Sequence, residues 1–216
     1  LNAKKKSIAM PVYACSALRN AVAMAQAKEV LTDNAMNSPN ICLNQLQKSN
    51  ADIAIVPHMF GLPNEIQNIK DIDVIEDCAQ SLGASIDNKK TGLIGKVGIF
   101  SFYATKLMTS GGQGGMFVSK DKNLVDRVRD YRDFDCRRDK KHRFNFQMTD
   151  VQASIGRVQL RKLPNFLERR QEIFTMYKES GLDLIESKNN TPVYYRAVLR
   201  VNNPVKIKGK LLRLGI

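Results

Sequence analysis

At 216 residues, 43% hydrophobic and 25% charged, the chain has an ordinary globular composition and length for one core plus part of a second lobe, which excludes disorder as its default state. A formal charge of +13 attracts phosphates and other acidic groups. No apolar run approaches the ~20 residues of a membrane span, and the stretch after Lys4, Lys5 and Lys6 is too short for a signal peptide; a cytoplasmic protein without membrane association is expected.

Residues 12–27 are alanine-rich and predict a helix packed on a sheet, followed by a short strand at 29–33. A buried strand is expected at 52–57, a short helix at 64–69, and a strand at 73–77 that is apolar before it turns acidic. This alternation predicts a parallel α/β sheet, whose ligands gather at the carboxyl ends of strands, and Asp77 stands at one such end. Strands at 97–103 and 115–119 form an expected antiparallel pair around a Thr/Ser/Gly-rich turn containing Lys106. Residues 124–134 read as a helix, and Thr149 as the N-cap of a long amphipathic one. Pro164 is expected to open a separate helix ending near Gly181. Residues 194–201 then alternate like a strand and 205–214 read as a helix, the start of a second α/β lobe. The expected division is a main domain at 1–163, then a linker helix and incomplete small domain at 164–216.

Cys15, Cys42, Cys78 and Cys136 are scattered, with only His58 and His142 to help build a metal site, so buried reduced thiols are expected and no metal centre. The basic run from Lys120 to Arg143 is interleaved with six aspartates, the pattern of a solvated helical face more than of a nucleic-acid stripe.

Chemistry concentrates in Phe100-Ser101-Phe102-Tyr103-Ala104-Thr105-Lys106 and the turn that follows it. A lysine held by an irregular turn just past a buried strand can be desolvated, and the neutral amine attacks an aldehyde. An exposed lysine in a flexible loop fits the same residues. Asp77 shifts the balance, because a carboxylate at a strand end can pair with a pyridinium nitrogen; alone, Glu76-Asp77 fits a helix cap or a metal-binding pair equally.

Four ordered segments resemble the DegT/StrS-type nucleotide-sugar aminotransferases, a branch of the fold-type I pyridoxal-phosphate enzymes. They are residues 56–63 (Val-Pro-His-Met-Phe-Gly-Leu-Pro), 76–84 (Glu-Asp-Cys-Ala-Gln-Ser-Leu-Gly-Ala), 100–106 with the glycine turn, and 143–153 from Arg143 to Ala153. The resemblance implies the fold-type I large domain, a mixed, mostly parallel sheet flanked by helices, with the start of a small C-terminal α/β domain. It implies pyridoxal 5'-phosphate carried by Lys106, which also moves the proton between substrate and cofactor carbons. Asp77 would face the ring nitrogen, Gln80 the ring hydroxyl and Ser101 the phosphate, with Tyr13 stacked on the ring. Asn145, or Gln147 if the loop is offset, would reach the partner subunit's cofactor phosphate in a homodimer with shared active sites. The implied substrates are an amino-acid donor, glutamate in the first instance, and a nucleotide-linked keto-sugar, in amino-sugar or cell-surface polysaccharide biosynthesis.

Two departures qualify the resemblance. The family's Gly-Thr/Ser-rich phosphate turn has no counterpart here, so a fragment truncated at both ends is expected. The turn Gly111-Gly112-Gln113-Gly114-Gly115 also replaces the family's usual Gly-Glu-Gly-Gly. Alternatives are a deoxysugar dehydratase on the same scaffold, which Lys106 disfavours because histidine is typical there, and a silent homologue or basic nucleic-acid binder, for which no binding signature is present.

Overall fold

The computed structural model describes residues 3–187 and 189–216. Its main sheet contains β1 (Ser7–Pro11), β2 (Lys28–Thr32), β3 (Ile53–Pro57), β4 (Asp73–Asp77), β7 (Val97–Ser101) and β8 (Gly115–Val118), in the order β2-β1-β3-β4-β7-β8. The first five are parallel, and β8 runs antiparallel to β7 as its sequence predicts. A small hairpin, β5 (Ser85–Ile86) with β6 (Lys89–Lys90), lies outside it.

Alternation along the strands assigns each residue a face. Ile8, Met10, Ile53 and Ile55 meet Leu18 and Val22 of α1 (Ser16–Met24) on one side. Ala9, Ala54, Val56 and Val74 meet Leu46 of α2 (Leu43–Lys48) on the other. Strand β3 is buried along its whole length, as a strand covered on both faces must be. The crossover from β1 to β2 moves to one side while β3 pairs on the other, so a topological switch point lies between β1 and β3.

The helix α3 (Lys122–Arg132) follows β8, and its interleaved charges pair: Asp126 with Lys122 and Arg129, and Asp130 with Arg143. Thr149 caps α4 (Asp150–Glu179) in a reciprocal capping box with Gln152. Pro164 does not open a new helix; it lies inside α4. The hydrogen bond it forfeits is outweighed by apolar burial on both sides of it, at Leu163 and Phe174.

Residues 194–201 do not form the expected strand. Tyr194 adopts a left-handed φ of 43° and stacks on Phe174 with ring centres 3.6 Å apart, and within 194–201 Leu199 forms an isolated bridge with Leu184. The segment spends its backbone donors on docking instead, from Val193 to the Gly61 carbonyl and from Arg196 to that of Phe60. The helix at the end of the chain, α5 (Pro204–Arg213), forms as expected, whereas the predicted 64–69 helix shrinks to one 3-10 turn at Ile66–Asn68. Among the described residues, no helix is long and apolar enough to cross a membrane. Of the four cysteines only Cys78 is buried; Cys15 and Cys136 are exposed, because they sit at the mouth of α1 and in the loop after α3.

Gly61 controls the docking. Its φ is +85°, and an added Cβ would lie 2.9 Å from both the Tyr195 amide nitrogen and Val193 Cγ2. Gly61→Ala is expected to cost about 1–3 kcal/mol and to expose the 193–196 segment, which proteolysis and thermal denaturation would register together.

Candidate active site

The carboxyl ends of β1, β3, β4 and β7 share one edge of the sheet, and the sequence-predicted residues apart from Asn145 lie along it, together with His58. Tyr13 follows β1, His58 follows β3, Asp77 ends β4, Gln80 lies one turn beyond, Ser101 ends β7, and Lys106 stands in the turn after it.

Adjacent in sequence, Glu76 and Asp77 point to opposite faces of the sheet, so they are neither a shared metal pair nor a double cap. Glu76 is fully buried. Its Oε2 accepts from His58 Nε2 at 3.0 Å and from the Gly92 amide at 2.7 Å; its Oε1 accepts from the amides of Ile94 and Gly95 at 2.8 and 2.7 Å. The Asn64 amide donates to His58 Nδ1, which places the imidazole proton on Nε2 facing Glu76. Burial alone would raise the Glu76 pKa, but the hydrogen bonds from His58, Gly92 and Gly95 reverse the sign and hold it below its ordinary value. Cys78 Sγ completes a compact trio with these two groups. The hydrogen bonds already made by the Glu76 oxygens and by both His58 ring nitrogens make Glu76 a clamp between His58 and the 92–95 loop.

Asp77 has the opposite electrostatics. Burial raises its carboxyl pKa, with the Ala79 amide and the charge of Lys106 pulling it back only in part. A raised carboxyl favours the folded state while protonated, so stability falls as pH rises from the ordinary value of 3.8 through the folded pKa. Asp77→Asn is therefore expected to leave the cofactor-free chain at least as stable at pH 7 and to flatten that decline; chemical denaturation across pH 3 to 8 measures both.

Several polar groups on this edge remain open toward a ligand. Gln80 Oε1 accepts from the Phe60 amide at 2.7 Å, which orients its NH2 group as a free donor. Asp77 Oδ1 accepts from the Ala79 amide, leaving Oδ2 available. Ser101 Oγ accepts from the Tyr103 amide at 3.3 Å and keeps its own proton to give. Tyr13 is exposed, its ring 6.3 Å from that of Phe60. A group with an acceptor for Gln80, a basic nitrogen for Asp77 and a phosphate for Ser101 fits this set, and pyridoxal phosphate has all three.

The lysine turn is ordered by its own bonds. Ser110 is fully buried and donates to the Gln113 carbonyl at 2.8 Å, and the amides of Phe102 and Ala104 donate to the carbonyls of Gly114 and Gly112. Lys106 is half-buried there, its Nζ 5.6 Å from the centre of the Tyr195 ring, while the Tyr195 hydroxyl donates to the Thr105 carbonyl. A flexible loop with an exposed lysine is not what forms.

Asn145 stands apart from this group, on the exposed loop after α3. Its neighbours Phe144 and Phe146 donate their amides to the carbonyls of Tyr131 and Arg132, which ties the loop to α3. Gln147 is engaged with Asp133.

The mixed, mostly parallel sheet flanked by helices is the fold of the large domain of fold-type I pyridoxal-phosphate enzymes. Residues 1–203 match the DegT/DnrJ/EryC1/StrS aminotransferase family, and the chain belongs to it. It is 33% identical to the uncharacterized protein MJ1066 of Methanocaldococcus jannaschii and 28% identical to the GDP-perosamine synthase of Escherichia coli O157:H7, each match covering 83% of this chain and 53% of the relative. The chain thus spans about half the length of the curated relatives it matches. In fold it superposes on DesV of S. venezuelae with a TM-score of 0.90 at 23% identity, over 99% of this chain and 62% of that one.

Sequence reasoning passed over the His58–Glu76 clamp and the Tyr195 contact. The first had a signal: Glu76 shares the buried register of Val74, and a buried acid requires donors. The second had none, because 90 residues separate Tyr195 from Thr105.

Proposed function

We propose that the protein is a pyridoxal-phosphate-dependent aminotransferase that moves an amino group from an amino-acid donor, glutamate by analogy with the family, to a nucleotide-linked keto-sugar in amino-sugar or cell-surface polysaccharide biosynthesis. The observation that carries this reading is the shared strand-end edge that holds Asp77 at the end of β4 and Lys106 in the turn after β7, while Gln80 and Ser101 keep donors to spare. Pyridoxal phosphate supplies an electron sink that acidifies the carbon bearing the amine. Asp77 would hold a proton on the ring nitrogen, Gln80 would orient the ring hydroxyl, Tyr13 would cover a ring face, and Ser101 would donate to the phosphate. Lys106 Nζ would anchor the cofactor and then carry the proton between the two carbons.

The wider arrangement belongs to the same proposal: a cytoplasmic homodimer in which Asn145 reaches the partner's cofactor phosphate, with residues 1–163 as the cofactor domain and 164–216 beginning the small one. The test is to mix the chain with pyridoxal phosphate, reduce with borohydride and map the modified peptide, then supply glutamate and a keto-sugar nucleotide. Modification at Lys106 and an amino-sugar product are expected; cofactor fixed at another lysine, or a deoxysugar lacking nitrogen, would overturn the reading.

A further inference from the structure

Three cations converge on one aromatic ring. Arg196 Cζ lies 5.2 Å, Lys106 Nζ 5.6 Å and Arg170 Cζ 6.0 Å from the centre of Tyr195. Among the described residues no carboxylate forms an ion pair with any of them. Elsewhere the chain neutralises its crowded charges, as where Arg143 sits between Asp130 and Asp139. The ring face attracts each cation but supplies no net negative charge to balance them, which an anion would.

The two arginines divide the work. Arg170 donates from Nη1 to the carbonyls of Tyr195 and Tyr194 at 3.1 and 3.4 Å, which fixes the segment. Arg196 is exposed, and its amide donates to the Phe60 carbonyl while the Phe60 amide donates to Gln80, so its backbone is tied to the same edge as the cofactor-facing residues. We propose that Arg196, backed by Arg170, binds an oxyanion of the substrate beside Lys106, either the carboxylate of the amino donor or the diphosphate of the nucleotide sugar. A guanidinium fork matches both in a two-bond geometry. The identity of the ligand rests on the aminotransferase reading; the anion site itself does not.

Calorimetric titration of the full chain, mixed with pyridoxal phosphate, with inorganic pyrophosphate and separately with glutarate tests this. Arg196 is exposed, so Arg196→Ala keeps the fold. At least one anion is expected to bind, and the variant to bind it tenfold more weakly or worse. Loss confined to pyrophosphate identifies the diphosphate as ligand, and loss confined to glutarate identifies the donor carboxylate. Equal binding to both proteins, or no binding to the wild type, overturns the proposal. Borohydride capture on Lys106, run on the same samples, is expected to be unchanged in the variant; a parallel fall would assign Arg196 to the cofactor phosphate and overturn the substrate role. Anion binding that depends on Arg196 in a chain that captures no cofactor would sink the aminotransferase reading and leave the anion site standing.

Discussion

In a Lys106→Ala protein, borohydride is expected to fix no cofactor to the chain, and transamination to fall by ~10²–10⁴-fold or more, the contribution of a positioned acid–base group. The loss should be chemical and not structural. Lys106 is half-buried and among the described residues makes no ion pair, and its contact with the Tyr195 ring is worth about 0.5–1 kcal/mol at an exposed site. The melting temperature is therefore expected to move little while turnover collapses. Added methylamine, which can replace the missing amine in the proton transfer, is expected to restore part of the rate. A variant that kept wild-type turnover would remove Lys106 from the chemistry, and a large drop in melting temperature would recast it as a structural residue.

Much of this edge is legible in the sequence because it is written locally. The strand at 73–77 ends where the apolar run turns acidic, and β4 has those same limits. Thr149 and Gln152 spell a capping box, and both reciprocal bonds form. The glycine-rich turn marks a departure from regular structure, and Lys106 stands in it. What is not local is not legible. Pro164 is a helix starter by propensity, yet tertiary burial of Leu163 and Phe174 carries one helix through it. The alternation at 194–201 reads as a strand, but with Tyr194 stacked on Phe174 and two donors spent on Gly61 and Phe60, the segment docks against a distant turn. Periodicity reports which residues are buried, and only the fold decides against what.

Glu76→Gln is expected to be the most destabilising conservative change on this edge, by about 1–3 kcal/mol for each buried donor it leaves without an acceptor. Each carboxylate oxygen accepts two bonds, and all four donors are N–H groups. A carboxamide keeps one oxygen and puts an NH2 where the other stood. If that NH2 faces Ile94 and Gly95, donors oppose two fixed backbone donors. If it faces Gly92 and His58, the imidazole must give up its Nε2 proton, and moving that proton to Nδ1 opposes it to the Asn64 amide. No orientation satisfies the set. The pH dependence carries a second signature. The folded pKa of Glu76 lies below its ordinary value of 4.5, so its stabilisation is complete above that pH and is lost as pH falls through the folded value. Wild-type chain should therefore lose stability on acidification where Glu76→Gln, already lacking the charge, loses less. Urea denaturation at pH 7 and pH 4 separates the two proteins: a wide gap at neutral pH that narrows in acid is expected, and equal midpoints at pH 7 would show that Glu76 is not the clamp. Because Glu76 adjoins Asp77 on β4 while its partners hold the 92–95 loop and the end of β3, the same variant should also weaken capture of pyridoxal phosphate, linking a buried structural charge on one face of the sheet to the proposed cofactor residue on the other.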